Sequence, residues 1–288
     1  MNGVLYVAAG AGPHPTLLFL HGLPGNEQNL DLAQAVRRAG WNVLTMHYRG
    51  SWGSEGTFSF TNAPEDSQSA IAWLRDPANA ARLRIDPARI AVAGHSMGGL
   101  LAAHAGASDP KVVGVAMISA WNLGAIVAQC KARGQEGRED FVQAMAQNME
   151  SLAGCSPQSL TDDAFEHGAA WNFREYAAKL APRPLLLISS RDCRLSQLLR
   201  SYIDGIPLDL ASSLLPARSW LRYSVLAHVH LHARAQRRYA DSGKAGKGKR
   251  NPSVSLFAQR ALIDSLQGCV NRLEWRPRES EWGDYYQA

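Results

Sequence analysis

Short apolar runs closed by glycine or proline alternate, over the first two thirds of the chain, with stretches whose apolar groups fall at helical spacing. Thr16–His21 is the first clear run, ended by Gly22 and Pro24, which is how a strand buried on both faces reads. Leu32, Ala35, Val36 and Ala39 then share one helix face, and Gly40 supplies the stop. Asn42–Tyr48 reads as the next strand and Arg49–Asn62 as a Gly- and Ser-rich loop. Pro64 starts a helix through Ala70, Ile71 and Leu74. After Asp86-Pro87, Ile90–Ala93 predicts another strand, Met97–Ala107 a small Ala-rich helix, and Val112–Ser119 a fourth strand. Three rounds of strand and helix imply a mostly parallel sheet flanked by helices, with right-handed crossovers.

From Trp121 to Lys179 the alternation stops. Amphipathic pieces at Phe141–Leu152 and Asp162–Leu180, with no strand-like run between them, predict a helical insertion over the sheet. Leu185–Ser190 resumes the sheet and ends at Arg191-Asp192. Beyond Asp192 the pattern weakens: Tyr223–His232 reads as a final strand and Ser255–Gln267 as a final helix. Asp241–Pro252, with four basic residues and three glycines between them, reads as a flexible linker. The expected plan is therefore a core whose first part spans residues 1–120, a helical cap insertion over 121–180, and the second part of the core with an atypical tail over 181–288.

Composition narrows the class of protein. With 46% hydrophobic and 19% charged residues, the 288-residue chain falls among globular proteins long enough to bury a preorganised site. No apolar run approaches the roughly 20 residues of a membrane helix, so no membrane partner is expected. Met1–Gly12 lacks the basic start and cleavage pattern of a secretory signal, and the expected location is the cytoplasm. Cys130, Cys155, Cys193 and Cys269 lie far apart with no CxxC pair, which favours reduced thiols over a metal site or a disulfide framework. The net charge of +5 is unevenly spread: residues 1–192 carry 15 Lys and Arg against 17 Asp and Glu, and residues 193–288 carry 15 against 8. The basic run Lys244–Arg250 is short and has no interleaved aromatics, so nucleic acid is not expected as a partner.

The chemistry concentrates at Gly94-His95-Ser96-Met97-Gly98, a G-x-S-x-G motif between an apolar strand and an Ala-rich helix. A sharp strand-to-helix turn lifts the serine hydroxyl above the sheet, and glycines two before and two after give the backbone room. The helix N-terminus sets amides and a positive dipole end beside the oxygen that becomes negative in acyl transfer. His21-Gly22-Leu23-Pro24-Gly25 ends an earlier strand, and Tyr48-Arg49-Gly50 ends its neighbour. With these motifs, residues 3–192 resemble the α/β-hydrolase superfamily, and within it serine aminopeptidase-like and dienelactone hydrolase-like members. The resemblance implies an α/β-hydrolase fold with Ser96 as nucleophile, the Leu23 and Met97 amides as an oxyanion hole, and His21 bracing its loop. It requires no metal or organic cofactor.

A serine hydroxyl needs a base to take its proton and a carboxylate to orient that base. The superfamily order of serine, acid, histidine puts Asp192, just past the strand Leu185–Ser190, as the acid; a solvated turn aspartate is the plainer alternative. After Asp192 the only histidines are His228, His230 and His232, which a strand would place on one face. His232, nearest the strand's C-terminal end, is the expected base. An exposed histidine edge is the other reading, and the jump in arginine content leaves open a shifted frame or recombined tail as against ordinary divergence. The expected function is a serine hydrolase that cleaves an ester, thioester or small amide bond of a small-molecule acyl substrate. The alternative is a catalytically impaired or non-catalytic binder on the same fold.

Overall fold

The computed structural model describes residues 1–26, 28–180 and 183–188. Among these residues six strands form one sheet: β1 (Gly3–Tyr6), β2 (His14–Leu20), β3 (Asn42–Met46), β4 (Ile85–His95), β5 (Val115–Ile118) and β6 (Leu185–Ile188). Their order across the sheet is β1-β3-β2-β4-β5-β6. Among the described strands only β1 runs antiparallel to its neighbour, and every other pair is parallel.

Strand alternation divides the core. Leu17 and Phe19 of β2 join Val43, Ala91 and Ala93 on one face, where α1 (Leu30–Arg38) packs Leu32, Ala33 and Val36 against them. Leu18 and Leu20 join Leu44, Met46 and Val92 on the other face, which α2 (Asn62–Arg75) covers with Ile71 and Leu74 and α4 (Met97–Ser108) with Leu100 and Leu101. Each of these large side chains contributes roughly 1.5–3 kcal/mol by leaving water. The helix α4 is buried almost all round, which is why its sequence lacks a polar face. Its glycines bring it close to the sheet: a Cβ on Gly99 would come within 2.6 Å of the Ala120 Cβ.

Between β5 and β6 the chain forms α5 (Leu123–Ala132), α6 (Gly134–Ala146), α7 (Pro157–His167), two 3-10 turns and the short α8 (Ala177–Leu180). Asn122 caps α5 by accepting from the Ala125 amide, and Ser156 and Ser159 form a reciprocal capping box on α7. Trp171 and Phe173 are buried and Trp121 and Phe165 half-buried. Trp121 stacks on Phe141, and Phe60 from the core meets both Trp121 and Trp171, so these aromatics form the interior of the helical layer. Among the described residues no helix is long and apolar enough to cross a membrane.

Several expected boundaries move. β4 begins at Ile85 rather than Ile90, because Ile85 pairs with His14 across a register shift while Pro87 to Arg89 stay exposed or half-exposed. A short helix, α3 (Pro77–Leu83), occupies a stretch with no apolar period; Asp76 caps it and Pro77 opens it. The expected element Phe141–Leu152 is instead α6, which starts seven residues earlier on an exposed charged turn and stops at Ala146. The element expected over Asp162–Leu180 is α7 followed by the two 3-10 turns and α8. The tail elements Tyr223–His232 and Ser255–Gln267 and the linker Asp241–Pro252 lie outside the described residues.

Candidate active site

The sheet order fixes where a site can form. From β2 the chain crosses over one face through α1 to β3 on one side, and from β4 it crosses the other face through α4 to β5 on the other side. The carboxyl ends of β2 and β4 therefore border a crevice where connections diverge, the place where parallel sheets take up ligands. Leu20 is level with Gly94 in the register, so Gly22 and Ser96 leave the sheet side by side.

Ser96 occupies the turn between β4 and α4 with φ 55° and ψ −119°, a region non-glycine residues rarely enter. Backbone crowding holds it there. A Cβ on Gly94 would overlap the Gly98 carbonyl, and one on Gly98 would overlap the Leu20 carbonyl. The Ser96 amide donates to Ile118 O at 3.0 Å, and its carbonyl accepts from the Gly99 and Trp121 amides at 3.0 and 2.9 Å. The side chain stays half-buried rather than entombed.

Gly22 stands directly against the serine: a Cβ there would lie 3.0 Å from Ser96 Cβ and 3.5 Å from Oγ. Of the two expected oxyanion donors, Met97 opens α4 and Leu23 follows Gly22. Among the described residues neither amide has a hydrogen-bond acceptor. The structure thus brings Ser96, Leu23 and Met97 to one crevice.

The loop from His21 to Gly25 is tied from several sides. Tyr48 Oη donates to His21 O at 2.8 Å, and His21 Nδ1 meets Gly22 O at 2.7 Å. His47 Nδ1 lies 3.2 Å from His21 Nε2, and Gln28 Nε2 lies 3.4 Å from His47 Nε2. Pro24 O accepts from Trp52 Nε1 at 2.7 Å and from Ser151 Oγ at 3.2 Å. Gly25, at φ +99°, presses on the His21 ring so closely that a Cβ would overlap it. Burial pushes the His21 pKa down to about 4, against the raising effect of the Gly22 carbonyl and with a further lowering from His47. Burial also lowers His47 and raises the Tyr48 hydroxyl. Behind the loop, Arg49 pairs with the buried Asp66, whose Oδ2 also accepts from the Arg49 amide at 2.8 Å.

The sequence reading of His21 as a loop brace matches these contacts. It did not connect His47, Gln28, Trp52 or Ser151 to the loop. One signal was present: Leu20 pairs with Met46, so two strands read as neighbours carry a histidine at the same level just past their ends.

β6 ends level with the elbow, since Ile188 pairs with Ile118 and Ile118 with His95. Asp192 and His232, the expected acid and base, lie outside the described residues, as do His228 and His230.

Comparison with known proteins bears on the family. A stretch of 88 residues, 30% of this chain, is 31% identical to the zebrafish (Danio rerio) lysophosphatidylserine lipase ABHD12 over 21% of that protein. A stretch of 103 residues is 31% identical to an uncharacterized protein of Mycobacterium tuberculosis, covering 35% of each. The matched stretches thus span about a fifth to a third of these curated relatives. Among solved structures, DcsB in complex with its substrate analogue superposes with a TM-score of 0.55 at 16% identity, over 93% of this chain and 94% of that one. The alpha/beta hydrolase GrgF from Penicillium sp. gives 0.52 at 15% identity, over 82% and 93%. A family profile described as the alpha/beta hydrolase fold matches residues 15–268. With its sheet order, its elbow between strand and helix and a match over most of its length, the chain belongs to the alpha/beta hydrolase fold family.

Proposed function

We propose that this protein is a serine hydrolase that cleaves an ester, thioester or small amide through an acyl-enzyme. The carrying observation is the strained turn at Ser96, which sets its side chain at the N-terminus of α4 and against Gly22 of the neighbouring loop. A histidine takes the Ser96 proton as Oγ attacks the carbonyl, and the oxygen that becomes negative is held by the Leu23 and Met97 amides. Collapse of the tetrahedral intermediate expels the alcohol, thiol or amine, which leaves with that proton. Water then releases the acid by the same steps in reverse order.

Asp192 orients the base and His232 is the base in this reading. It is supported by β6 ending at the level of the elbow and by the family order of serine, acid and histidine. The stretch 121–180 serves as a cap, consistent with the Trp121 amide bonding the Ser96 carbonyl. A carboxylic ester is the favoured substrate class, in keeping with the name of the lipase relative. A fluorophosphonate probe tests the reading: wild-type protein is labelled, Ser96→Ala is not, and Asp192→Asn and His232→Ala label slowly. Folded wild-type protein that refuses the probe would sink the enzymatic reading in favour of a binder.

A further inference from the structure

Gln28, His47 and His21 make a chain of polar contacts that ends on the peptide between Gly22 and Leu23. That end fixes the protons. The Gly22 carbonyl can only accept, so His21 Nδ1, 2.7 Å away, carries the hydrogen. In the neutral, buried imidazole Nε2 is then a bare acceptor, and His47 Nδ1 at 3.2 Å is its donor. His47 Nε2 is left to accept from the Gln28 amide at 3.4 Å. Every ring nitrogen is satisfied in this one arrangement.

The consequence lies in peptide geometry. The Gly22 C=O and the Leu23 N–H belong to one planar unit and point in opposite directions. Holding the carbonyl toward His21 therefore turns the Leu23 amide away from His21. If His21 instead carried its proton on Nε2, a lone pair on Nδ1 would face the Gly22 oxygen and favour rotation of the peptide. There is little slack, because even a Cβ added to Gly22 would lie only 3.0 Å from Ser96 Cβ.

We propose that His47 is a positioning residue. By donating to His21 Nε2 it selects the His21 tautomer that locks the Gly22–Leu23 peptide with its amide available to the oxyanion. The proposal rests on the serine hydrolase reading. His47 does not touch the reacting atoms, and its effect is confined to the transition state.

His47→Leu and His47→Asn test it, since the two side chains have nearly the same shape and only asparagine can donate near the Nδ1 position. With a p-nitrophenyl ester, kcat of His47→Leu falls about ten- to a hundredfold at unchanged KM, the range for a misplaced oxyanion donor. His47→Asn stays within about threefold of wild type, because a positioned donor is all the role requires. Nitrogen-15 imidazole spectra show His21 protonated on Nδ1 in wild type and in His47→Asn, but not in His47→Leu. Equal kcat for the two variants, a loss carried by KM, or an Nε2-protonated His21 in wild type each overturns the proposal. Should His47→Leu fail to fold, the wild-type spectrum and the kcat of His47→Asn decide the matter. Wild-type protein unlabelled by the fluorophosphonate defeats the hydrolase reading and this proposal together, whereas labelled wild type with equal variants defeats this proposal alone.

Discussion

At the crevice between β2 and β4, the turn at Ser96 is held by backbone against backbone, with Gly94 and Gly98 each facing a carbonyl that leaves no room for a side chain. Across from it, the loop from His21 to Gly25 is held by hydrogen bonds donated by Tyr48, Trp52 and Ser151 and by the contact of the His47 ring with that of His21. Steric exclusion is insensitive to pH and punishes any added atom. Polar bracing tolerates small losses one at a time but depends on where protons sit. Ser96 and the loop beside it therefore answer to different perturbations although they are adjacent.

The largest effect that distinguishes the two is predicted for Gly98→Ala. Its methyl group would collide with the Leu20 carbonyl at the carboxyl end of β2, which no rotamer change relieves. A loss of about 3 kcal/mol or more in urea unfolding is expected, at the upper end for overpacking. A variant as stable as wild type would mean that the turn is not sterically fixed.

Next comes acid. The folded His21 pKa is about 4 and its ordinary value is 6.5, so between these the unfolded chain holds a proton that the folded chain does not. Stability contributed by neutral His21 is complete above pH 6.5 and is lost as pH falls toward 4, in total about 3 kcal/mol. Urea midpoints measured from pH 7 to pH 4 for wild type and His21→Asn give this as a difference in slope. Parallel slopes would remove His21 as the acid-sensitive brace. The smallest effect is expected for Tyr48→Phe, which leaves the buried His21 carbonyl without its donor and costs about 1–2 kcal/mol in thermal unfolding.

The same contrast explains what could be read from the sequence. Steric features are written in residue identity: Gly94 and Gly98 around Ser96, the apolar run Leu17–Leu20, and the small residues of α4 all announce themselves locally. The polar brace is not local. His47 meets His21 only because β2 and β3 pair with Leu20 opposite Met46, and Ser151 reaches Pro24 across 127 positions of chain. α5 carries no local signal because Leu123–Val127 is apolar without a period, and the apolar pattern places α6 too late because its first turns face water. The acid and base were inferred from family order alone, since a histidine run at alternating positions carries no partner information.

The clasp on Pro24 ties the helical layer to the loop beside Ser96 in a way that matters for recombination among relatives. Residues 151–153 leave that layer by bonding Trp52 N, Gly50 O and Phe58 N, while Ser151 also reaches Pro24 in the loop after β2. A foreign helical layer spliced in with a junction before residue 151 would keep these anchors native; a junction beyond residue 153 obliges the donor sequence to bring its own. The seam of any such chimera is thus dictated by three residues that form no helix.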